Sequence, residues 1–208
     1  MDLSNIKAVA FDAFGTLVNL GEKRRPFARL ADAALLKSTR SPMTEHIDLA
    51  GMAAICGLSI SEDELAALTS DLHCELASIR PYPETIDVLK GIRKQGLRTA
   101  VASNLAMPYA KPLYEQLGSL LDVFCLSFEV GAVKPHEDFY AALCQRLQLN
   151  PSEILMVGDT WRCDYAGATA AGLKALHLDR RGIAEGDQIP MSVTDLLGIF
   201  DVMGLPKF

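Results

Sequence analysis

Asp12, Ser103, Asn104, Lys134, Asp159 and Asp164 are the polar side chains of this chain that fall where short apolar runs stop. Asp12 closes the run Lys7-Ala8-Val9-Ala10-Phe11, Ser103-Asn104 follows residues 97–102, Lys134 lies beyond residues 123–128, and Asp159 follows residues 154–157. Carboxylates suit nucleophilic attack or the binding of a hard cation, while lysine supplies a fixed positive charge. Two carboxylates aimed at one cleft repel each other unless a cation or a proton lies between them. Lys134 offers one positive charge, and a divalent metal would add two. Each residue taken singly has a plainer reading. Asp favours turns, Ser and Asn cap helices, and an acid such as Asp164 suits the positive start of a helix. Four successive strand ends that all deliver such residues are a different matter.

The elements that position them are legible as alternation. Residues 7–11, 97–102, 123–128 and 154–157 are short, apolar and β-prone, with residues 175–178 a weaker fifth strand. Residues 84–95, 108–117, 137–147 and 163–171 have helical periodicity, and Gly96, Gly118 and Gly172 follow three of them. Strands alternating with helices predict βαβ units and a parallel sheet, whose ligands bind beyond the carboxyl ends of the strands. Residues 18–83 interrupt this pattern. They predict helices over 25–37, 44–56 and 62–80, the last opened by a capping box at Ser61 and Glu64. The expected organisation is therefore an α/β, Rossmann-like parallel-sheet core from residues 1–17 and 84–208, with a small helical cap domain at 18–83. One further helix is expected within residues 193–202.

On these residues the chain resembles the haloacid dehalogenase-like hydrolase superfamily. The matching pieces are Phe11-Asp12-Ala13-Phe14-Gly15-Thr16-Leu17, Ala102-Ser103-Asn104, Lys134-Pro135 and Val157-Gly158-Asp159-Thr160 with Asp164. The match extends through residues 166–173, and the helical insertion resembles that superfamily's cap. The resemblance implies that Asp12 is the nucleophile, and that Asp12, the backbone carbonyl of Phe14 and Asp159 hold Mg2+, with Asp164 steadying it through water. It also implies that Ser103 and the N–H of Asn104 bind the transferred group, that Lys134 neutralises charge, and that Phe14, Asn104 and Thr16 border the substrate.

One position departs from the pattern. Phosphatases of the superfamily carry a second Asp two residues after the nucleophile, where this chain has Phe14. That acid protonates the leaving oxygen, and general acid–base help is typically worth about 10²–10⁴-fold. The dehalogenases carry an aromatic residue there, because a halide leaves without a proton, but they generally lack Gly-Asp-Thr and use no metal. The fourth motif thus favours a magnesium-dependent phosphatase of a small anionic metabolite. A metal-independent 2-haloacid dehalogenase and a binding module weakened in turnover stand as alternatives.

Composition narrows the field further. The 208 residues are half apolar, carry a formal charge of −6 and have a pI near 5.2. An acidic chain without a basic block argues against nucleic acid as the main partner. Cys56, Cys74, Cys125, Cys144 and Cys163 show no metal-ligand spacing, which points to a reducing compartment. An early acid at Asp2 and no long apolar run predict neither a secretory signal nor a membrane span, so a cytoplasmic location is expected. Arg24 and Arg25 either solvate the cap or reach an anionic substrate, and Trp161 either walls the pocket or packs on the cap. His46, His73, His136 and His177 show no ligand spacing.

Overall fold

The computed structural model describes residues 2–33, 41–182 and 191–207. Six strands form one parallel sheet: β1 (Ala8–Phe11), β4 (Arg98–Ser103), β5 (Val123–Leu126), β6 (Ile154–Gly158), β7 (Lys174–Leu178) and β8 (Ser192–Val193). Their spatial order is β5-β4-β1-β6-β7-β8. The chain winds outward from β1 to β5, then returns to the opposite side of β1 as β6. A crevice therefore opens at the carboxyl ends of β1 and β6, where the winding reverses.

Alternation along the strands sorts the core by size. Val9 and Phe11 of β1 face α4 (Thr85–Lys94), α5 (Ala110–Leu117) and α9 (Gly198–Met203) through Leu89, Ile92, Leu113 and Phe200. Ala8, Ala10, Ala100 and Ala102 face the other way. Their small side chains admit Phe139, Tyr140 and Leu143 of α7 (Glu137–Leu147). Each fully buried Leu, Ile or Phe contributes roughly 1.5–3 kcal/mol. The short α6 (Ser127–Val130) and α8 (Gly167–Ala170) complete the layers.

Residues 18–83 leave and re-enter the sheet through an antiparallel pair of strands, β2 (Val18–Leu20) and β3 (Ile79–Pro81). Between them α1 (Pro26–Ala33), α2 (Leu49–Ile55) and α3 (Glu62–Ala77) pack around Phe27, Leu30, Met52, Leu68 and Leu72. Ala106 of the core joins that cluster. No helix among the described residues is long and apolar enough to cross a membrane.

Several expected boundaries move, each for a local reason. α2 starts at Leu49 rather than residue 44, because the Asp48 side chain caps it by accepting from the N–H of Gly51 at 2.8 Å. α3 keeps the expected box between Ser61 and Glu64 but stops at Ala77, and Ile79–Pro81 turns extended to pair with β2. The strand expected to reach residue 128 ends at Leu126. Residues 107–109 form a 3₁₀ turn around Pro108, so α5 begins at Ala110. The helix expected over 163–171 is instead a π-helical turn over Trp161–Ala166 followed by α8. The tail expected to be helical from 193 is extended there, and α9 starts at Gly198. Residues 34–37 of the expected first cap helix lie outside the described residues.

Candidate active site

Asp12 follows β1 and still obeys the strand register, its N–H donating to the carbonyl of Val157 at 2.9 Å. The chain then turns sharply at Gly15, whose φ is +86°. A Cβ on Gly15 would overlap the Asp159 carboxylate, so glycine is required twice over, by conformation and by space. The turn brings the ends of β1 and β6 together: one oxygen from each of Asp12, Asp159 and Asp164 lies within 4.8 Å of the others.

Lys134 sits beneath this cluster and is 3% exposed. Its Nζ donates to Asp12 Oδ1 at 2.9 Å, to Asp164 Oδ1 at 2.6 Å and to the carbonyl of Ala102 at 2.7 Å. Three acceptors match the three protons of an ammonium. Burial lowers its pKa, but the carboxylates of Asp12 and Asp164 outweigh burial and the net shift is upward, so the charge is permanent at neutral pH. Asn104 builds this placement: its side-chain Nδ2 donates to the Lys134 carbonyl at 2.9 Å, and its Oδ1 accepts the Lys134 N–H at 2.8 Å. The Asn104 side chain is thus committed to holding Lys134, and the expected substrate contact falls to its backbone N–H.

Asp164 is carried by the π-helical turn, a feature common at functional sites. Its Oδ2 accepts the N–H of Thr160 at 2.9 Å, which leaves both oxygens engaged. Gly158 makes this possible, since a Cβ there would collide with the Asp164 carboxylate. Burial pushes the Asp164 carboxyl upward and Lys134 opposes it. Asp159 is exposed at the cleft mouth, yet its carboxyl lies against the turn at Gly15. Lost solvation, and then the charge of Asp12, raise its pKa. A donor set of hard oxygens with a single lysine for three acids fits a divalent ion such as Mg2+.

Ser103 ends β4 and is 1% exposed. Thr16 lies behind the site rather than in the cleft: it is fully buried, its N–H donates to the Ala13 carbonyl, and its Oγ1 has no partner. Phe14 is half-buried and meets Tyr109 edge-on, with ring centroids 5.9 Å apart. It divides two cavities. One, of about 630 Å³, is bordered by the charged or titratable side chains of Asp159, Lys23, His177 and Arg180. The other, of about 240 Å³, is mostly apolar and lies against α1 and α3.

Arg24 pairs with Glu22 and Asp71 on the helical insertion, in keeping with a solvated surface role. Trp161 stacks on Tyr165 at 4.4 Å, on the core rather than the helical insertion. Pattern reading missed Arg180. It stacks over Tyr82 at 3.6 Å, and donates to the carbonyls of Gly15 at 3.0 Å and Thr16 at 2.7 Å and to Glu84 at 2.7 Å. It stands just past the carboxyl end of β7, so the rule that located the other four turns applies to it as well. His177 Nε2 lies 3.1 Å from the Asp159 carbonyl, and the residue borders the same cavity as Asp159.

A parallel sheet whose strand ends collect three aspartates around one buried lysine matches a known family. Residues 6–172 fit the family model for haloacid dehalogenase-like hydrolases, and the chain belongs to that family of hydrolases. An N-acetylmuramic acid 6-phosphate phosphatase of Pseudomonas aeruginosa is 29% identical over 190 residues, 84% of this chain and 82% of that protein. A glyceraldehyde 3-phosphate phosphatase of Methanothermobacter thermautotrophicus is 28% identical over 138 residues, 65% of this chain and 61% of the relative. Among solved structures, an HAD phosphatase from Thermococcus onnurineus superposes with a TM-score of 0.69 at 22% identity, covering 98% of this chain and 100% of the other. The L-2-haloacid dehalogenase of Xanthobacter autotrophicus superposes with a TM-score of 0.67 at 21% identity, covering 96% and 98%. These two superpositions speak to fold.

Proposed function

We propose that this hydrolase is a Mg2+-dependent phosphatase of small phosphorylated compounds, with Asp12 as its nucleophile and residues 18–83 as a cap over the cleft. The observation that carries this reading is the meeting of Asp12, Asp159 and Asp164 within 4.8 Å beside the Lys134 ammonium. The phosphatase activity in the names of the relatives from P. aeruginosa and M. thermautotrophicus supports it. Asp12, Asp159 and the Phe14 carbonyl would hold the ion, with Asp164 behind it through water. When bound, Mg2+ supplies charge that offsets the clustered carboxylates and the transferring group.

The protein's own groups then have distinct tasks. Lys134 fixes Asp12 through Oδ1, leaving Oδ2 to attack phosphorus. As the Asp12–phosphorus bond forms, the ester P–O bond breaks and the leaving oxygen departs with the electron pair, taking its proton from water. Ser103 and the backbone N–H of Asn104 bind the phosphoryl oxygens. Water next attacks phosphorus, the bond to Asp12 breaks, and inorganic phosphate leaves. Phe14 can neither protonate the leaving oxygen nor activate that water, help typically worth roughly 10²–10⁴-fold in rate, so good leaving groups are favoured.

Phe14 is also the observation that favours a second reading, a metal-independent 2-haloacid dehalogenase. It is aromatic and borders a mostly apolar cavity. One experiment tests both. Phosphate release from acetyl phosphate and p-nitrophenyl phosphate, and halide release from 2-chloropropionate, are measured with and without EDTA for the wild type and Asp12→Asn. The phosphatase reading expects phosphate release abolished by EDTA and by the substitution. Phosphate release indifferent to EDTA sinks it, EDTA-resistant halide release establishes the rival, and binding without any product points to a module that has lost turnover.

A further inference from the structure

Glu75 of α3 is a carboxylate only 1% exposed. Its Oε1 accepts the N–H of Arg25 at 2.6 Å, and its Oε2 accepts the hydroxyl of Tyr109. Among the described residues no Lys, Arg or His side chain forms an ion pair with it. A carboxylate withdrawn from water ordinarily has a counter-charge beside it. The contact is also held at a cost: Arg25 adopts a φ of +57°, an unfavourable conformation for a non-glycine residue, in presenting its N–H to Glu75.

The carboxylate borders the cavity of about 240 Å³, whose walls include Phe14, Phe27, Leu105, Ala106 and Tyr109. The rings gather around it, with Phe14 and Phe27 centroids 5.9 and 6.2 Å from that of Tyr109. A buried carboxylate among aromatic rings is the surround an ammonium group prefers, since the ring faces are negative and the charge is neutralised. The cavity also touches Asn104, which follows Ser103 directly, and Phe14, two residues after Asp12. A phosphoryl group held at Asp12 would therefore direct its leaving group into this space. Drug-sized pockets run roughly 300–1,000 Å³, so only a short group fits.

We propose that Glu75 recognises an amino group on the substrate, and that the Asp12 site acts on phosphate esters of short amino alcohols. This rests on the phosphatase reading above. Arg25 borders the same cavity, and its guanidinium would favour a carboxylate instead.

Calorimetric titration of the full chain in Mg2+ separates these possibilities, using O-phosphoethanolamine, 2-hydroxyethyl phosphate, n-propyl phosphate and 2-phosphoglycolate. Phosphoethanolamine is expected to bind roughly tenfold or more tightly than n-propyl phosphate, the scale of a hydrogen bond to a charged group. Glu75→Gln is expected to erase that preference while leaving the affinity for n-propyl phosphate within about threefold. Tyr109→Phe keeps the carboxylate and is expected to keep the preference. Equal binding of the amino and propyl esters, or tightest binding of the hydroxyethyl ester or of phosphoglycolate, overturns the assignment while the phosphatase reading stands. Equal loss of preference in Glu75→Gln and Tyr109→Phe also overturns it, reducing Glu75 to a tie between α3 and the core. Failure of all four esters to bind overturns the phosphatase reading and this inference together.

Discussion

Lys134 and Asp164, thirty residues apart in sequence, meet at 2.6 Å in the interior, and the same ammonium holds Asp12. Lys134→Met would leave both carboxylates buried without a counter-charge. Removing one partner of a buried pair costs roughly 3–5 kcal/mol. A urea midpoint lowered accordingly, together with loss of phosphate release, is the expected result, and an unchanged midpoint would contradict the arrangement.

Divalent ions should stabilise the fold through the aspartate cluster. A ligand that binds only the native state adds about 2.7 kcal/mol at a hundredfold excess over its Kd. The melting temperature is expected to climb with Mg2+ in the wild type and to stay flat in Asp159→Asn, as read by differential scanning fluorimetry.

Arg180 joins the turn after Asp12 to the chain returning from the helical insertion. Arg180→Ala strips a donor from the carbonyls of Gly15 and Thr16 and the partner from Glu84. Leaving such groups unsatisfied costs roughly 1–3 kcal/mol. Arg180→Lys should recover little of this, because an ammonium does not reproduce the planar fork. Paired denaturation curves check both.

Gly158→Ala drives a methyl group into the Asp164 carboxylate. Overpacking of this kind typically costs about 1–3 kcal/mol. The expected signature is lower stability combined with weaker Mg2+ binding, whereas an exposed Gly→Ala change such as Gly57→Ala, where nothing lies near the added carbon, should leave Mg2+ binding untouched.

Acid should loosen the protein through carboxyls held below their ordinary range. Arg24 and then Arg29 hydrogen-bond Asp71, the Ser61 backbone N–H and then its hydroxyl hold Glu64, and Lys7 and then the Asn150 N–H hold Glu153. A carboxyl whose pKa falls on folding binds protons less readily in the native state. Its contribution is complete above the unfolded value of about 4 and is lost as pH falls through the lower native value. Unfolding midpoints from pH 7 to 2 are expected to drop most steeply below pH 4. The slope should lessen in Asp71→Asn.

Much of the site was legible because its residues obey a rule that needs no long-range knowledge. Asp12, Ser103, Lys134 and Asp159 each follow an apolar run, and a parallel sheet gathers such positions at one edge. What escaped depends on contacts between segments far apart in the chain. The side-chain amide of Asn104 closes on the backbone of Lys134, thirty residues on, a tie that no local pattern announces. Glu75 and Tyr109 belong to helical periodicities that say nothing of each other. β3 overlaps the end of the expected helix over 62–80, and β2 lies in the unassigned start of the insertion, because three residues on either side of residues 21–78 carry no local signal of their pairing.

That pairing makes the helical insertion separable in a topological sense. Val18 and Pro81 are direct register partners, so the polypeptide departs and comes home through a single doorway. Among the described residues nothing between them is threaded through the main sheet, and every strand of that sheet is contributed from outside the excursion. Lineages could lengthen, shorten or swap what lies beyond the doorway while the hydrolytic floor below stayed intact, with selectivity drifting independently of the reaction.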